Sequence, residues 1–323
     1  MFNYIVRRIL SMIPLLILIS ILSFTVIKLQ PGEFGSQYFN NPRVSPETVI
    51  QLRKRLGLDQ PAYRQYLKWV KGIITEGDFG YSFAYKRPVA ELIWERMGWT
   101  VTVASATMLF TWLLAIPIGI YSATHKYSFL DYIFTFIGFI GISIPNFFLA
   151  LVLMYLVLAQ GGTAVGGLFS NEYIGAPWSW AKLLDLLKHI WIPLIAIGTA
   201  GMAGLIRQMR GNLLDVLGRQ YVQTARAKGL KERVVIYKHA VRNAINPLIS
   251  MLGMQLPQLI SGTIISAIVL NLPTMGPFFY DALINQDQYL VMTFLMFSAI
   301  MMLVGNLIAD LLLAWVDPRI RYD

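Results

Sequence analysis

Residues 190–270 read IWIPLIAIGTAGMAGLIRQMRGNLLDVLGRQYVQTARAKGLKERVVIYKHAVRNAINPLISMLGMQLPQLISGTIISAIVL. An apolar run from Ile190 to Ile206 and a second from Pro247 to Leu270 enclose a connection, Arg207 to Arg242, that holds nine Lys and Arg. A helix satisfies its own backbone hydrogen bonds, so apolar runs of this length can lie in hydrocarbon while the basic connection stays in water. The stretch therefore reads as two membrane helices joined by a charged connection.

The rest of the chain repeats the pattern. Of 323 residues 56% are apolar and 14% charged, far from the quarter or so charged in soluble proteins. Further spans are expected at Ile9–Ile27, Thr100–Ala123, Leu130–Ala159 and Tyr289–Trp315. Each is long enough, at 1.5 Å per residue, for a core of roughly 30 Å. Six spans put both termini on one side. The basic Arg207–Arg242 connection, set against Asn271–Gln288 with no Lys or Arg, makes that side cytoplasmic. Arg7 and Arg8 precede the first run as in a signal peptide. That run is too long and ends in Lys28-Leu29-Gln30-Pro31-Gly32, without a cleavage pattern, so it is expected to stay as a span.

Gln30 to Gly98 carries ten Lys and Arg but exceeds the loop length over which charge sets orientation. It reads as an extracytoplasmic helical insertion. Ser45-Pro46-Glu47 predicts one helix, ended by Gly57. A second helix starts near Pro61, with Tyr63, Tyr66, Leu67, Trp69 and Val70 on one apolar face. Gln160 to His189 reads as another external excursion, with an amphipathic stretch Trp178–Leu187.

Several chemistries are excluded. Without cysteine there is no disulfide, Cys-ligated zinc or thiol nucleophile. His125, His189 and His239 are scattered and form no HExxH or other metal pair. No phosphate-binding G-x-x-x-x-G-K-[ST] sequence is present. The span interiors lack the ionisable groups of an ion-driven carrier, Asp310 being the deepest and near a helix end. No channel filter is visible. The net charge of +10 lies between apolar runs rather than on a soluble face, which argues against nucleic acid. No catalytic or metal site is expected. Ala196, Ala200 and Gly204 recur every fourth position as a close-packing stripe, and Pro145, Pro193 and Pro257 are expected to interrupt helices.

Within the basic connection, Tyr221 to Lys228 forms a short predicted helix ended by Gly229. The small side chains of Ala225 and Ala227 would let it lie in a partner's groove, framed by Arg226, Lys228 and Lys231. Positive charge that only fixes orientation is the alternative.

At these residues the sequence becomes specific. TARAKGL followed by HAxRNAxxP resembles the cytoplasmic coupling loop of ABC importer permeases, in the dipeptide and oligopeptide branch. Ala225 and Gly229 match the Ala and Gly that mark the loop in the wider family, while its earlier acidic position is Gln223. RRIL, RKRLGLDQP, GDFGYS, PVAELIWER, SIPNFF and DPRIR resemble that branch in order, over nearly the whole chain. One region departs. Where peptide transporters typically carry Glu, five residues and Pro-Gly-x-Gly, this chain has Ala267 and then Pro273-Thr274-Met275-Gly276. PGEF after the first span is more similar to sugar-transporting members, and the branch also carries nickel.

The resemblance implies an all-α permease with six transmembrane helices and no active site of its own. Its parts would be residues 1–29 as tail and first span, 30–98 as the insertion, 99–317 as a five-helix core with the coupling loop at 207–246, and 318–323 as a cytoplasmic tail. The implied coupling residues are Tyr221, Thr224, Ala225, Arg226, Ala227, Lys228, Gly229 and Leu230; substrate-binding residues remain open. The implied partners are a homologous second permease, two cytoplasmic ATP-binding subunits holding ATP and Mg, an extracytoplasmic substrate-binding protein and membrane lipid. The setting the resemblance implies is a prokaryotic cytoplasmic membrane, and the implied cargo is short peptides or oligosaccharides. An ATP-independent carrier or channel and a non-transporting scaffold are the rival readings.

Overall fold

In the computed structural model the described residues are 2–29, 45, 47, 50–51, 54, 59–82, 84–163, 165–261 and 263–316. Of the expected helix at Ser45–Gly57, Glu47, Ile50, Gln51 and Lys54 are described and are helical, and the rest lies outside the described residues, as does the tail 318–323. The helices are α1 (Phe2–Lys28), α2 (Ala62–Glu76), α3 (Val89–Thr124), α4 (Phe129–Ser143), α5 (Asn146–Ala159), α6 (Trp180–Leu217) and α7 (Gln220–Ala227). They continue as α8 (Glu232–Val234), a π-helical run Val235–Val241, α9 (Arg242–Ala244), α10 (Asn246–Ser261), α11 (Ile264–Val269), α12 (Met275–Ile284) and α13 (Gln288–Val316). Strands β1 (Tyr81–Ser82) and β2 (Arg87–Pro88) form one antiparallel ladder, a small addition to the expected all-helical chain.

Among the described residues, α1, α3, α6 and α13 are each long and apolar enough to cross a membrane, and α4 with α5 makes a fifth candidate if taken as one broken span. The chain is thus an all-α membrane protein in its main architecture. Leu130–Ala159, expected as one span, is instead two helices bent by 104°. Pro145 bars the residue before it from the helical region, and Ile144 accordingly sits at φ −92°, ψ 124°. Pro247–Leu270 is likewise divided, with Thr263 leaving helical geometry between α10 and α11. Pro193, by contrast, lies inside continuous α6 and does not interrupt it. Pro257 falls within α10, and its side chain is outside the described residues. The stretch Trp178–Leu187, expected as an external excursion, contributes the start of α6 from Trp180.

The chain divides into two compact units. One comprises Val101–Pro273 with the first residues up to Ile5 and the stretch from Met302; the other comprises Val6–Thr100 and Thr274–Met301. In the first, α6 packs on α4 and α5. Ala196 of the expected stripe is buried, but Gly204 has open space where a Cβ would stand. The close approach is at Gly198 instead, where a Cβ would come within 2.9 Å of Thr111 Oγ1. In the second unit α2 starts after Pro61 as expected, but its buried face is Gln65 and Trp69, while Tyr63 and Leu67 are exposed. Trp69 Nε1 donates to the Phe79 carbonyl at 3.1 Å, and Ser20 and Tyr66 share a hydrogen bond of 2.7 Å. These polar contacts select which aromatic residues turn inward, a choice that apolar spacing alone does not contain.

Candidate functional site

The basic connection opens as a continuation of α6 through Leu217, so the part that leaves the span helix begins at Gly218. Arg219, at φ −72° and ψ 147°, turns the chain out of the helical path, and α7 starts at Gln220. No side chain caps the α7 N-terminus; instead Gln223 Nε2 reaches back to the Leu217 carbonyl at 3.1 Å. Short helices are marginal by themselves, so α7 needs tertiary anchors.

It has two, spaced one turn apart on a single face. Val222 is fully buried and Ala225 nearly so. Both enter a cluster with Ala115, Ile120 and Ala123 of α3, Leu205, Met209 and Leu213 of α6, and Val235, Ala240, Ala244 and Leu248 beyond. This corrects the expectation that Ala225 faces a partner: its small side chain fits α7 to its own chain. Ala227 does lie on the exposed face, with Tyr221, Thr224, Lys228, Gly229 and Leu230. The Val222/Ala225 spacing was the available signal, because a large apolar residue three positions before a small one on a polar helix marks an inward face.

Gly229 ends α7 at φ +75°, a region L-residues enter at a cost of roughly 1–2 kcal/mol. Its N–H donates to the Arg226 carbonyl at 2.9 Å, and Leu230 N–H reaches the Ala225 carbonyl at 3.4 Å, closing the helix end. A Cβ at Gly229 would meet nothing within 4 Å, so glycine is needed there for conformation and not for space. Across the turn Arg226 Nε lies 3.2 and 3.1 Å from the two Glu232 oxygens, and Nη2 lies 2.7 Å from Oε1. This fork holds the Glu232 carboxyl below its ordinary range.

Beyond Glu232 the π-helical run carries the chain toward α10, with Val235 and Ala240 inward. Asn212 Nδ2 donates to the Ala244 carbonyl at 3.1 Å, tying α6 to this segment, and Asn243 Nδ2 reaches Tyr221 Oη at 3.0 Å. Tyr221 is therefore both exposed and held in place.

Two polar constellations were missed by reading the sequence. Arg210 of α6 forms a two-point ion pair with Asp131 of α4, at 3.1 and 2.9 Å, and Asp131 is 3% exposed. Asp185 accepts from both the Ser170 amide and hydroxyl at 2.7 Å. The first pair joins residues 79 apart, and no local spacing announces it. Among the described residues no group of three or more His, Asp or Glu is arranged to hold a metal.

Comparison with known proteins gives the same reading from an independent direction. Residues 115–322 match the family described as binding-protein-dependent transport system inner membrane component, and residues 1–104 match its N-terminal counterpart. The chain is 40% identical over 323 residues to the oligopeptide transport system permease protein AppB of Bacillus subtilis, covering 99% of each. It is 33% identical to the dipeptide transport system permease protein DppB of Escherichia coli K12, over 100% of this chain and 99% of that one. It is 30% identical to the glutathione transport system permease protein GsiC of the same strain, over the full length of both. With α7 closed by Gly229 inside the matched region, the chain belongs to the binding-protein-dependent transport system inner membrane component family and is an inner-membrane permease subunit of an ABC importer.

Proposed function

We propose that this chain forms half of the pore of an ATP-driven importer of short peptides. Six spans, with both termini and the 207–246 connection in the cytoplasm, would pair with a homologous second permease. Two cytoplasmic subunits would bind ATP and Mg, and an external binding protein would deliver the cargo. The peptide class is supported by relatives named for oligopeptide, dipeptide and glutathione transport.

The observation that carries the reading is α7 itself. Eight residues are fastened to their own chain by Val222 and Ala225 while the opposite face stays uncovered. A short helix presented this way suits a partner's groove. Tyr221, Thr224, Ala227 and Lys228 would touch the ATP-binding subunit, and Ala225, Arg226, Gly229 and Leu230 would hold the shape that is presented. Movement of the bound subunits would then reach the spans through the buried cluster.

Because the sequence has no cysteine, single introduced thiols report without background. In membranes from cells expressing the whole transporter, Thr224→Cys and Lys228→Cys should cross-link to a thiol on the ATP-binding subunit, and buried Val222→Cys should not. Asn285→Cys should react with an impermeant reagent in intact cells while Gln223→Cys stays protected. Cross-linking confined to Val222→Cys, or labelling of Gln223→Cys from outside, would overturn the assignment.

A further inference from the structure

A cavity of about 730 Å³ opens beside α7, where the turn between α3 and α4 faces the segment after Gly229. Its lining is divided by chemistry. Ile118, Ile120, Ala123, Phe134 and Ile236 are buried or half-buried, whereas His125, Arg233 and Tyr237 are exposed. Apart from Ile236, this apolar part belongs to α3, a candidate span, and to α4, which with α5 makes another, so in the proposed orientation it would stand near the cytoplasmic boundary of the hydrocarbon.

The charges in this lining are not balanced. Glu232 is engaged by the Arg226 guanidinium through three contacts of 2.7 to 3.2 Å. Arg233, next in sequence, makes no ion pair or side-chain hydrogen bond among the described residues. Thr124 Oγ1 and His125 Nδ1 are 3.0 Å apart, and the His125 ring stacks on Tyr121 at 4.4 Å, which fixes the imidazole at the mouth. A spare guanidinium, a fixed imidazole and a phenol thus border an apolar recess.

We infer that this cavity binds a phospholipid with an anionic headgroup, its phosphate at Arg233 and the first part of one acyl chain against Phe134 and Ile236. A soluble anion would leave the apolar wall wetted, and a zwitterionic phospholipid would bring its own headgroup cation beside Arg233 and His125, where an anionic headgroup brings none. The inference rests on the proposed orientation, which puts this end of the spans in the cytoplasmic leaflet, where anionic lipids draw basic residues near the surface. Lipid in the cavity would touch Arg226, Glu232 and Leu217, so occupancy would stiffen the base of α7.

The test is lipid retention by the purified full chain, measured by native mass spectrometry after exchange out of mixed phosphatidylglycerol and phosphatidylcholine. Wild type should retain phosphatidylglycerol preferentially. Arg233→Gln should lower that preference about five-fold, the effect of one basic contact at a membrane surface, and Arg233→Lys should restore most of it. Ile236→Trp, which fills the recess and leaves Arg233 in place, should lose retention as well; its elution and thermal midpoint, unchanged from wild type, would show that it folds. Equal retention of the two lipids, or insensitivity to Arg233→Gln, overturns the inference. So does displacement of the lipid by glycerol phosphate alone, which would make the site one for soluble anions. Loss of lipid on adding the ATP-binding subunits would show that protein fills the cavity and would also overturn it. No sidedness enters the retention assay, so it can fail while the thiol-labelling pattern holds, and the reverse.

Discussion

The α7 connection and the β1–β2 hairpin are both short elements outside the candidate spans, and they are held in opposite ways. α7 is fastened by two apolar side chains, Val222 and Ala225, with its ion pair Arg226–Glu232 largely in solvent. The hairpin is fastened by a buried carboxylate. Ser82 Oγ donates to Asp287 Oδ2 at 2.6 Å, with both residues 2% exposed or less, and Tyr85 N–H donates to Ser82 Oγ at 3.1 Å. Withdrawing Val222 and Ala225 from their cluster costs apolar contact, which is non-directional and strands no polar group. Opening Ser82 from Asp287 removes the shortest hydrogen bond to a buried carboxylate where water is excluded, and the Ala84 and Leu290 amides that also face it lie farther off, at 3.4 Å. The difference puts the looser fastening at the element proposed to move, and the stiffer one at an element whose task is to keep shape.

The sharpest way to break this comparison is to damage the α7 fastening. Gly229→Val forces a β-branched residue into the left-handed region at roughly 1–2 kcal/mol or more, reshaping the end of α7. Ala225→Trp drives a large side chain into a closed cluster and lifts the helix off its own chain. Both variants should reach the membrane at wild-type abundance, yet peptide uptake should fall to background and co-purification of the ATP-binding subunit should weaken. Wild-type uptake in both would remove α7 from the coupling path.

The hairpin should respond with the other signature. Asp287→Ala leaves Ser82 Oγ buried without its acceptor, a loss of about 2 kcal/mol for a hydrogen bond to a charged group. The thermal midpoint should drop while cross-linking of Thr224→Cys to the ATP-binding subunit is retained. An unchanged midpoint would mean that the Asp287 contacts are replaced by water at no cost.

How far each region was legible follows from the same contrast. The α7 helix, its end at Gly229 and its exposed basic residues are written in adjacent positions, because a C-terminal glycine and a short run of helix formers act locally. Its orientation was misread at Ala225, since small size suits a tight fit on either side. The Ser82–Asp287 contact joins residues 205 apart, and Arg210–Asp131 is similarly remote; both depend on which helices become neighbours. Prolines were half-legible. Pro145 does break the path, but Pro193 is absorbed in α6, because a membrane helix can re-satisfy the freed carbonyl from its neighbours. The 104° at Ile144–Pro145 is a tertiary outcome, and the residues fix only where it happens.

A finer probe of the hairpin is Tyr85, whose Oη donates to Asp281 Oδ2 at 3.1 Å. Burial first, and the Asp281 carboxylate second, push the phenol up to about 12. The fold thus favours the neutral phenol. Its contribution is complete below the unfolded value of 10.0 and is lost as pH rises through about 12. Absorbance titration should show Tyr85 ionising later than exposed tyrosines, and Tyr85→Phe should remove part of the alkaline loss of stability. The neutral-pH effect of Tyr85→Phe should stay near 1 kcal/mol, as for one typical hydrogen bond.

The smallest effect is expected at the Arg226–Glu232 pair, and it sharpens the comparison because the pair resembles an anchor by geometry alone. Its distances match those of Asp131–Arg210, yet the side chains are 36% and 55% exposed. Water and salt screen such a pair, so Glu232→Gln should cost only about 0.5 kcal/mol at neutral pH. The Glu232 carboxyl is depressed by the Arg226 hydrogen bonds, so its contribution is present above the unfolded value of 4.5 and is lost as pH falls through the lower folded value. High salt at neutral pH should reproduce most of the Glu232→Gln effect, and the variant should be insensitive to that salt. Thermal midpoints of wild type and Glu232→Gln, taken at low and high salt and again below pH 4.5, resolve the matter. A salt-resistant loss as large as that of Asp287→Ala would show that the pair fastens α7 after all, and the contrast between a loosely held coupling helix and a stiffly held hairpin would fail at its weaker end.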